Sequence, residues 1–387
     1  MTVSGSSISA ANIDAIKDFA ASLPKVTSEN FGTVWKAVAD FGLLGLITPQ
    51  EFGGAATTAH DFVQHMSAFG HGCSDNGLAL GINAHIWTIQ HLLIRFGSPE
   101  QKDVYLPGML AGETIGAFAL TEPSSGSDAL SVSTTAIETD NGYVLNGLKS
   151  FIGMAPVCDL AVVFANTAPD KGRWGLSAFL VNADDAGFQK VEAQPKMGLT
   201  SVPMGQLLLK DCFVPAARRI GPEGVGSAII QTVLNWERCF ILTSQVGAMT
   251  RQLEECAAFT TNRQSFGQNI AEYQSVSNRL ADMRVRLETC RLMLNHAAEL
   301  YDTNQPLTQF AAMVNLHISE AFLSSSMDTM RTFGGRGYLQ GSEASLDLND
   351  AMGGVIYSGT SDIQRQIIAK MEIGQLPLVK NGERKSS

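Results

Sequence analysis

Glu237 stands in the stretch QTVLNWERCFILT. Read as helix, it has Val233 and Leu234 one turn before it and Phe240 and Ile241 one turn after. Side chains at these intervals share a helix face, so a carboxylate occupies an apolar stripe. Two readings are open. Glu237 pairs in the core with an arginine of another helix, for which Arg279, Arg284, Arg286 and Arg291 are available, although buried ion pairs are poor stability devices. Alternatively, the apolar surround raises its proton affinity and makes it a general base.

Three loops also carry chemistry. FALTEPSSGSDAL offers hydroxyls and backbone N–H donors that could cradle a polar heterocycle, or forms an ordinary Pro/Gly/Ser turn. RTFGGRGYL has adjacent glycines that let backbone approach a ligand, or that simply cap a helix. IYSGTSDIQRQIIA places a Gly-Thr-Ser-Asp turn before a final helix. Thr360 or Ser361 could cap that helix with Asp362 near its N-terminus, where free N–H groups can also hold an anion or a carbonyl oxygen.

Three textures position these residues. Residues 1–115 have helical periodicity, as in IDAIKDFAASL, FGTVWKAVADFGLL and AHIWTIQHLLIRFG. Residues 116–222 hold short β-rich runs such as GYVLNGLKSFIG, CDLAVVFANT, WGLSAFLVNA and GQLLLKDCFVP, read as a mostly antiparallel β domain. Residues 223–387 return to long helical runs without internal breakers, which predicts a helical bundle. The polar tail VKNGERKSS is expected to fray. The fold class is α+β, in the order α, β, α.

A 387-residue chain that is 45% hydrophobic and 17% charged has the composition of a globular protein with an extensive core. Its net charge of −10 argues against nucleic-acid binding, which needs a basic footprint. Six cysteines and seven histidines show no CxxC, HExxH or His–Cys cluster, so neither a disulfide scaffold nor a metal site is expected. The N-terminus MTVSGSSISAANIDAIKDF has no basic start or apolar core, and no run is long enough for a membrane span. A soluble, reducing setting, the cytoplasm, is expected.

LTEPSSGSD, NGLKSFIG, NRQSFGQNIAEYQSVSNRLADM, FGGRGYL and YSGTSDIQRQIIA occur together and in order. In this the chain resembles the acyl-CoA dehydrogenase superfamily over roughly residues 35 to 374. SFIGMAP, NWERC, FGGRG and SGTSD further resemble the flavoproteins that oxidise prolyl groups tethered to a carrier protein. The resemblance implies an N-terminal helical domain, a middle β domain and a C-terminal four-helix bundle, with FAD between them and usually a homotetramer.

It also implies site residues. Phe118, Leu120 and Thr121 would line the flavin, and Phe151 and Gly153 would lie against its redox-active side, where relatives often have Trp and Thr. Ser127 would sit near the substrate's tether, and Asn235, Arg238 and Gly359 near the substrate. Arg263 and Phe266 match an Arg-x-x-Phe-Gly element that contacts the FAD of a neighbouring subunit. Gln274, Arg331, Gly334, Gly335, Thr360 and Asp362 match further FAD contacts, Arg331 replacing a common Gln. Many relatives carry the catalytic Glu at the position of Ser358. The isovaleryl-type branch carries it on the long helix before an Arg, which here is Glu237 before Arg238.

The implied reaction dehydrogenates an acyl or aminoacyl thioester. Glu237 takes the α-proton, flavin N5 takes hydride, and the Ser358 N–H, with a flavin ribityl hydroxyl, steadies the thioester oxygen. On this view only the backbone of Ser358 matters, and Ser358→Ala is expected to be mild. An ordinary acyl-CoA substrate, an oxygen-using oxidase or monooxygenase, and a flavin-free binding homologue are the alternatives. The electron acceptor would be an electron-transfer flavoprotein or oxygen.

Overall fold

The structure is a computed structural model that describes residues 13–191 and 193–375. The first twelve residues and the whole polar tail VKNGERKSS, where fraying is expected, lie outside the described residues. Helices come first: α1 (Ile13–Ser22), α2 (Phe31–Asp40), α3 (Ala59–Gly72), α4 (Asn76–Ala84), α5 (His91–Phe96) and α6 (Pro99–Leu110). Local signals start several of them. Thr58 Oγ1 accepts the Asp61 N–H at 3.0 Å, and Asp75 Oδ1 accepts the Leu78 N–H at 2.9 Å. Ser98 and Gln101 form a reciprocal capping box ahead of α6. Between α4 and α5 the chain widens into a π-helical segment, His85–Gln90, a form often found at functional sites.

The strands follow: β1 (Gly116–Ala119), β2 (Thr135–Thr139), β3 (Gly142–Gly153), β4 (Leu160–Asn166), β5 (Leu176–Asn182), β6 (Phe188–Lys190), β7 (Met204–Pro215) and β8 (Arg219–Ile220). They form one sheet in the order β6-β7-β3-β2-β4-β5-β8, with β1 pairing parallel to β4. Antiparallel pairs dominate. β4 is buried along both faces. Leu160, Val162 and Phe164 join the core shared with the helices, while Ala161, Val163 and Ala165 join a second core on the sheet's other side. Its unbroken apolar sequence LAVVFAN has this cause.

The C-terminal helices are α7 (Gly226–Phe240), α8 (Thr243–Asn262), α9 (Gln274–Asp302), α10 (Thr308–Phe333), α11 (Glu343–Gly354) and α12 (Ser361–Gln375). A small hairpin of β9 (Gln264–Ser265) and β10 (Gln268–Asn269) joins α8 to α9. The single long helix expected around Glu237 is two helices, parted at Ile241–Leu242. The Ile241 carbonyl accepts from Asn83 Nδ2 of α4 at 3.1 Å, and the same amide donates to Ser244 Oγ at 3.1 Å. A side chain from another domain thus supplies the break that local sequence lacks. α3 and α8 touch through glycine. A Cβ on Gly70 would lie 1.9 Å from the Ser244 carbonyl oxygen.

Candidate active site

The three parts meet around a cleft of about 740 Å³. α4 and the π-helical segment give one wall, with Leu80, Gly81, Ala84, His85 and Thr88. β1, the loop after it and the end of β3 give a second, with Phe118, Thr121, Ser127, Phe151 and Gly153. α7 and the turn before α12 give the third, with Glu237, Tyr357, Ser358, Gly359 and Thr360.

The β3 wall depends on a bulge. Lys149 pairs with Leu207 and Ile152 with Gly205, so one extra residue stands on β3. Within the bulge Phe151 takes a left-handed φ of +58° and its side chain is 59% exposed. The Ser150 N–H donates to the Thr121 carbonyl at 2.9 Å, joining the SFIG stretch to the LTEPSSGSD loop. Behind them Lys149 Nζ donates to Glu122 Oε1 at 2.7 Å and to the Leu120 carbonyl at 3.2 Å. Leu120 is therefore a buried support and does not line the cleft.

Among the described residues, Glu237 has no arginine from another helix. Arg279 and Arg286 face Asp328, while Arg284 and Arg291 face Glu288, so the paired-core reading does not survive. Glu237 instead accepts a hydrogen bond at Oε1 from Ser358 Oγ at 2.8 Å. Burial raises its carboxyl above the usual carboxylate range, against the opposing pull of Ser358 and of the Arg238 charge. The Ser358 hydroxyl, for which no part was expected, is thus in direct contact with the carboxylate. Arg238 reaches the Ser358 carbonyl with Nε at 3.5 Å. Asn235 points elsewhere, donating to Thr308 Oγ1 at 3.0 Å, and is not on the cleft.

Of the remaining expected cofactor residues, all but Thr360 lie off this cleft. Arg263 and Phe266 flank and tip the β9–β10 hairpin, and Phe266 is 95% exposed at a φ of +50°. Gln274 is exposed at the start of α9, and Arg331 faces Asp328 at 3.6 Å. Gly334, with a φ of +59°, ends α10, and neither it nor Gly335 has an atom within 4 Å of a notional Cβ. Thr360 lines the cleft and its Oγ1 accepts the Ile363 N–H at 3.3 Å, so it caps α12. Asp362 lies in the first turn of that helix beside Arg365. Among the described residues, no three His, Cys, Asp or Glu side chains are placed to hold a metal ion, and no helix is long and apolar enough to cross a membrane.

Family models match consecutive stretches of the chain: the acyl-CoA dehydrogenase N-terminal domain over residues 14–113, the middle domain over 117–212 and the C-terminal domain over 224–372. The chain belongs to the acyl-CoA dehydrogenase family. The chain is 40% identical over 337 residues to the L-prolyl-(peptidyl-carrier protein) dehydrogenase of Pseudomonas fluorescens, covering 87% of this chain and 89% of that one. Among solved structures, the prolyl acyl carrier protein oxidase AnaB superposes with a TM-score of 0.91 at 35% identity, covering 93% of this chain and 97% of that one. PigA with FAD and proline gives a TM-score of 0.88 at 36% identity, covering 94% and 96%.

Sequence reasoning missed part of this dehydrogenase's cleft. The α4 wall was read only as helix, although the run GLALGINA supplies the small residues that leave room there. His85 was missed too. It is buried, which pulls its imidazole down to about 4, and its Nδ1 accepts the Gly116 N–H at 3.3 Å. It ties β1 to the helical wall as a neutral ring. Lys196 to Leu199 form a further wall, pressed so close to α11 that a Cβ on Gly198 would lie 2.3 Å from the Asn349 carbonyl oxygen. The glycine of PKMG was the one available signal.

Proposed function

We propose that the protein dehydrogenates an aminoacyl or acyl thioester, with a prolyl group carried on a carrier protein as its main substrate and FAD as its cofactor. The observation that carries the reading is Glu237: a carboxylate with no arginine of another helix on it among the described residues, raised in proton affinity, on the same cleft as Thr121, Phe151 and Gly153. The prolyl carrier protein as substrate is taken from the resemblance to the prolyl dehydrogenase of Pseudomonas fluorescens and to AnaB.

The residues suit FAD. Phe151 is an aromatic ring left uncovered on the cleft wall, and the space beside Gly153 is open to Val202 Cγ1 at 3.8 Å. Phe118, Thr121, Phe151, Gly153 and Thr360 would hold the ring end. Arg263, Phe266, Gln274, Arg331, Gly334, Gly335 and Asp362 would hold the remainder, those on the hairpin serving a neighbouring protomer of a homotetramer. When bound, FAD supplies the two-electron acceptor for the reaction.

The chain's own groups do the rest. Glu237 takes the proton from the carbon next to the thioester carbonyl. The Ser358 N–H, which meets no acceptor among the described residues, donates to the thioester oxygen as charge builds there. Leu80, Gly81 and Ala84 give a close apolar seat for a small acyl group and exclude water from the base. Ser127, exposed on the cleft lining, would lie beside the tether. All six cysteines are free and buried, which suits a cytoplasmic setting.

The test is to mix the FAD-loaded protein anaerobically with prolyl, branched and straight-chain thioesters on carrier protein and on CoA. Fastest bleaching of the flavin by the prolyl carrier protein supports the reading. Faster bleaching by a branched or short acyl-CoA replaces it with the ordinary acyl-CoA activity. Admitting air and assaying peroxide then separates oxygen from an electron-transfer flavoprotein as acceptor.

A further inference from the structure

Ser358 has a φ of +59°, in the left-handed region that disfavours any residue with a Cβ. Its turn is held from several sides. Gln364 Nε2 donates to the Ser358 carbonyl at 3.0 Å and to the Gly359 carbonyl at 2.8 Å. The Tyr357 hydroxyl accepts from Gln245 Nε2 at 2.8 Å. A glycine would relieve the strained backbone, so the side chain at this position must be judged by what it does. Its single contact of consequence is the 2.8 Å donation from Oγ to Glu237 Oε1.

We propose that Ser358 is a positioning residue whose hydroxyl locks the Glu237 carboxylate in place, leaving Oε2 as the oxygen that accepts the substrate's proton. The inference rests on the reading of Glu237 as the base. A rigid turn anchored on α12 and α8 thereby sets the position of a side chain that α7 alone would leave free to rotate about its own bonds. The hydroxyl also acts electrostatically. Donation to a carboxylate favours its ionised form, whereas burial favours the protonated form. The other charged or titratable groups around Glu237 are Arg238 on its own helix, Tyr357 on the turn, and His85 and Lys196 on the other walls of the cleft. None of these has a hydrogen bond to the carboxylate among the described residues, so Ser358 holds the group directly.

The sign of the effect follows. Proton abstraction requires ionised Glu237. Without the hydroxyl the protonated form gains, and the acid limb of the rate profile moves to higher pH. A hydrogen bond to a charged group corresponds to a shift of about one pH unit or slightly more.

The experiment compares Ser358→Ala and Ser358→Gly with the parent, each loaded with FAD. Both lack the hydroxyl, but only the glycine relieves the backbone. The first readout is the pH profile of anaerobic flavin bleaching by prolyl carrier protein. The second, made without substrate, is an infrared titration of the Glu237 carboxyl in protein labelled with ¹³C-glutamate, assigned by its loss in Glu237→Gln. The expected result is an upward shift of about one unit in both readouts for both variants. Unchanged profiles and an unchanged carboxyl titration overturn the proposal. So does a defect confined to the alanine variant, which marks a backbone role. If one variant fails to fold or to retain FAD, the other still decides. Bleaching of Glu237→Gln at the parental rate instead removes the base reading itself, whereas an inert Glu237→Gln beside unaffected Ser358 variants removes only the positioning role.

Discussion

Lys149 Nζ lies 2.7 Å from Glu122 Oε1, and both side chains are sealed from solvent. Glu122 also accepts the Ser133 N–H at 2.7 Å and the Thr134 N–H at 3.0 Å, together with both hydroxyls of those residues. One carboxylate therefore ties together the loop that carries Thr121, the strand that carries Phe151 and the start of β2.

Breaking that pair leaves a buried charge unsatisfied. Glu122→Gln is expected to destabilise the protein by about 3–5 kcal/mol, the usual cost of removing one partner, measured by urea unfolding. Burial alone would raise the Glu122 carboxyl, but Lys149, Ser133 and Thr134 outweigh burial and hold it down to about 2. A depressed carboxylate contributes stability above its unfolded value, and that contribution fades as pH falls through the folded value. The gap between the parent and Glu122→Gln should therefore narrow from pH 4.5 towards about 2. A gap that stays constant over that window contradicts the assignment.

Glu237→Gln preserves shape but cannot take a proton. FAD should remain bound while flavin reduction by the substrate slows at least ~10²-fold, the scale of general-base catalysis. Stopped-flow absorbance under nitrogen reads this directly, and bleaching at the parental rate would remove Glu237 from the role.

Phe266 is 95% exposed at the tip of its hairpin and supports no core of its own protomer. If the hairpin reaches a neighbouring protomer's cofactor, Phe266→Ala should leave the unfolding midpoint of the apoprotein unchanged. FAD affinity should fall by about 10-fold or more, the worth of burying one aromatic side chain. Titration of apoprotein with FAD and sedimentation of the holoprotein together check it. Unaltered affinity and assembly count against an intersubunit site.

Gly70 and Gly247 let α3 and α8 meet backbone to backbone, with notional Cβ atoms 1.9 Å from the Ser244 oxygen and 2.0 Å from the Ser67 oxygen. Gly70→Ala must push the helices apart, at a cost of about 1–3 kcal/mol or more. A thermal scan of the variant at neutral pH tests this. Parental stability would mean that the helices close on an alanine as readily as on glycine.

The order of helices, strands and helices was legible because each element's periodicity is local. Apolar spacing in α2 or in LAVVFAN reports which faces are buried, whatever they are buried against. Five motifs in register were enough for the family, and the apolar stripe around Glu237 marked an anomalous carboxylate. Periodicity could not reveal what faces that carboxylate, because its neighbour Ser358 is 121 residues away and comes from a different element. Nor could it find the break after Ile241, which depends on Asn83 of the N-terminal helices. It gave no warning that Arg279 and Arg286 are engaged by Asp328, or that Asn235 turns towards Thr308.

By itself, then, the amino-acid sequence determined the type of each element, the family's motifs and the identity of the acid at position 237, since these depend on neighbours along the chain. The tertiary structure alone decided which atom holds that acid, which wall shapes the cleft and which residues stand behind the motifs. Hydrogen bonds and burial act through space over a few ångströms, and the groups they join here lie on different elements, far apart along the chain.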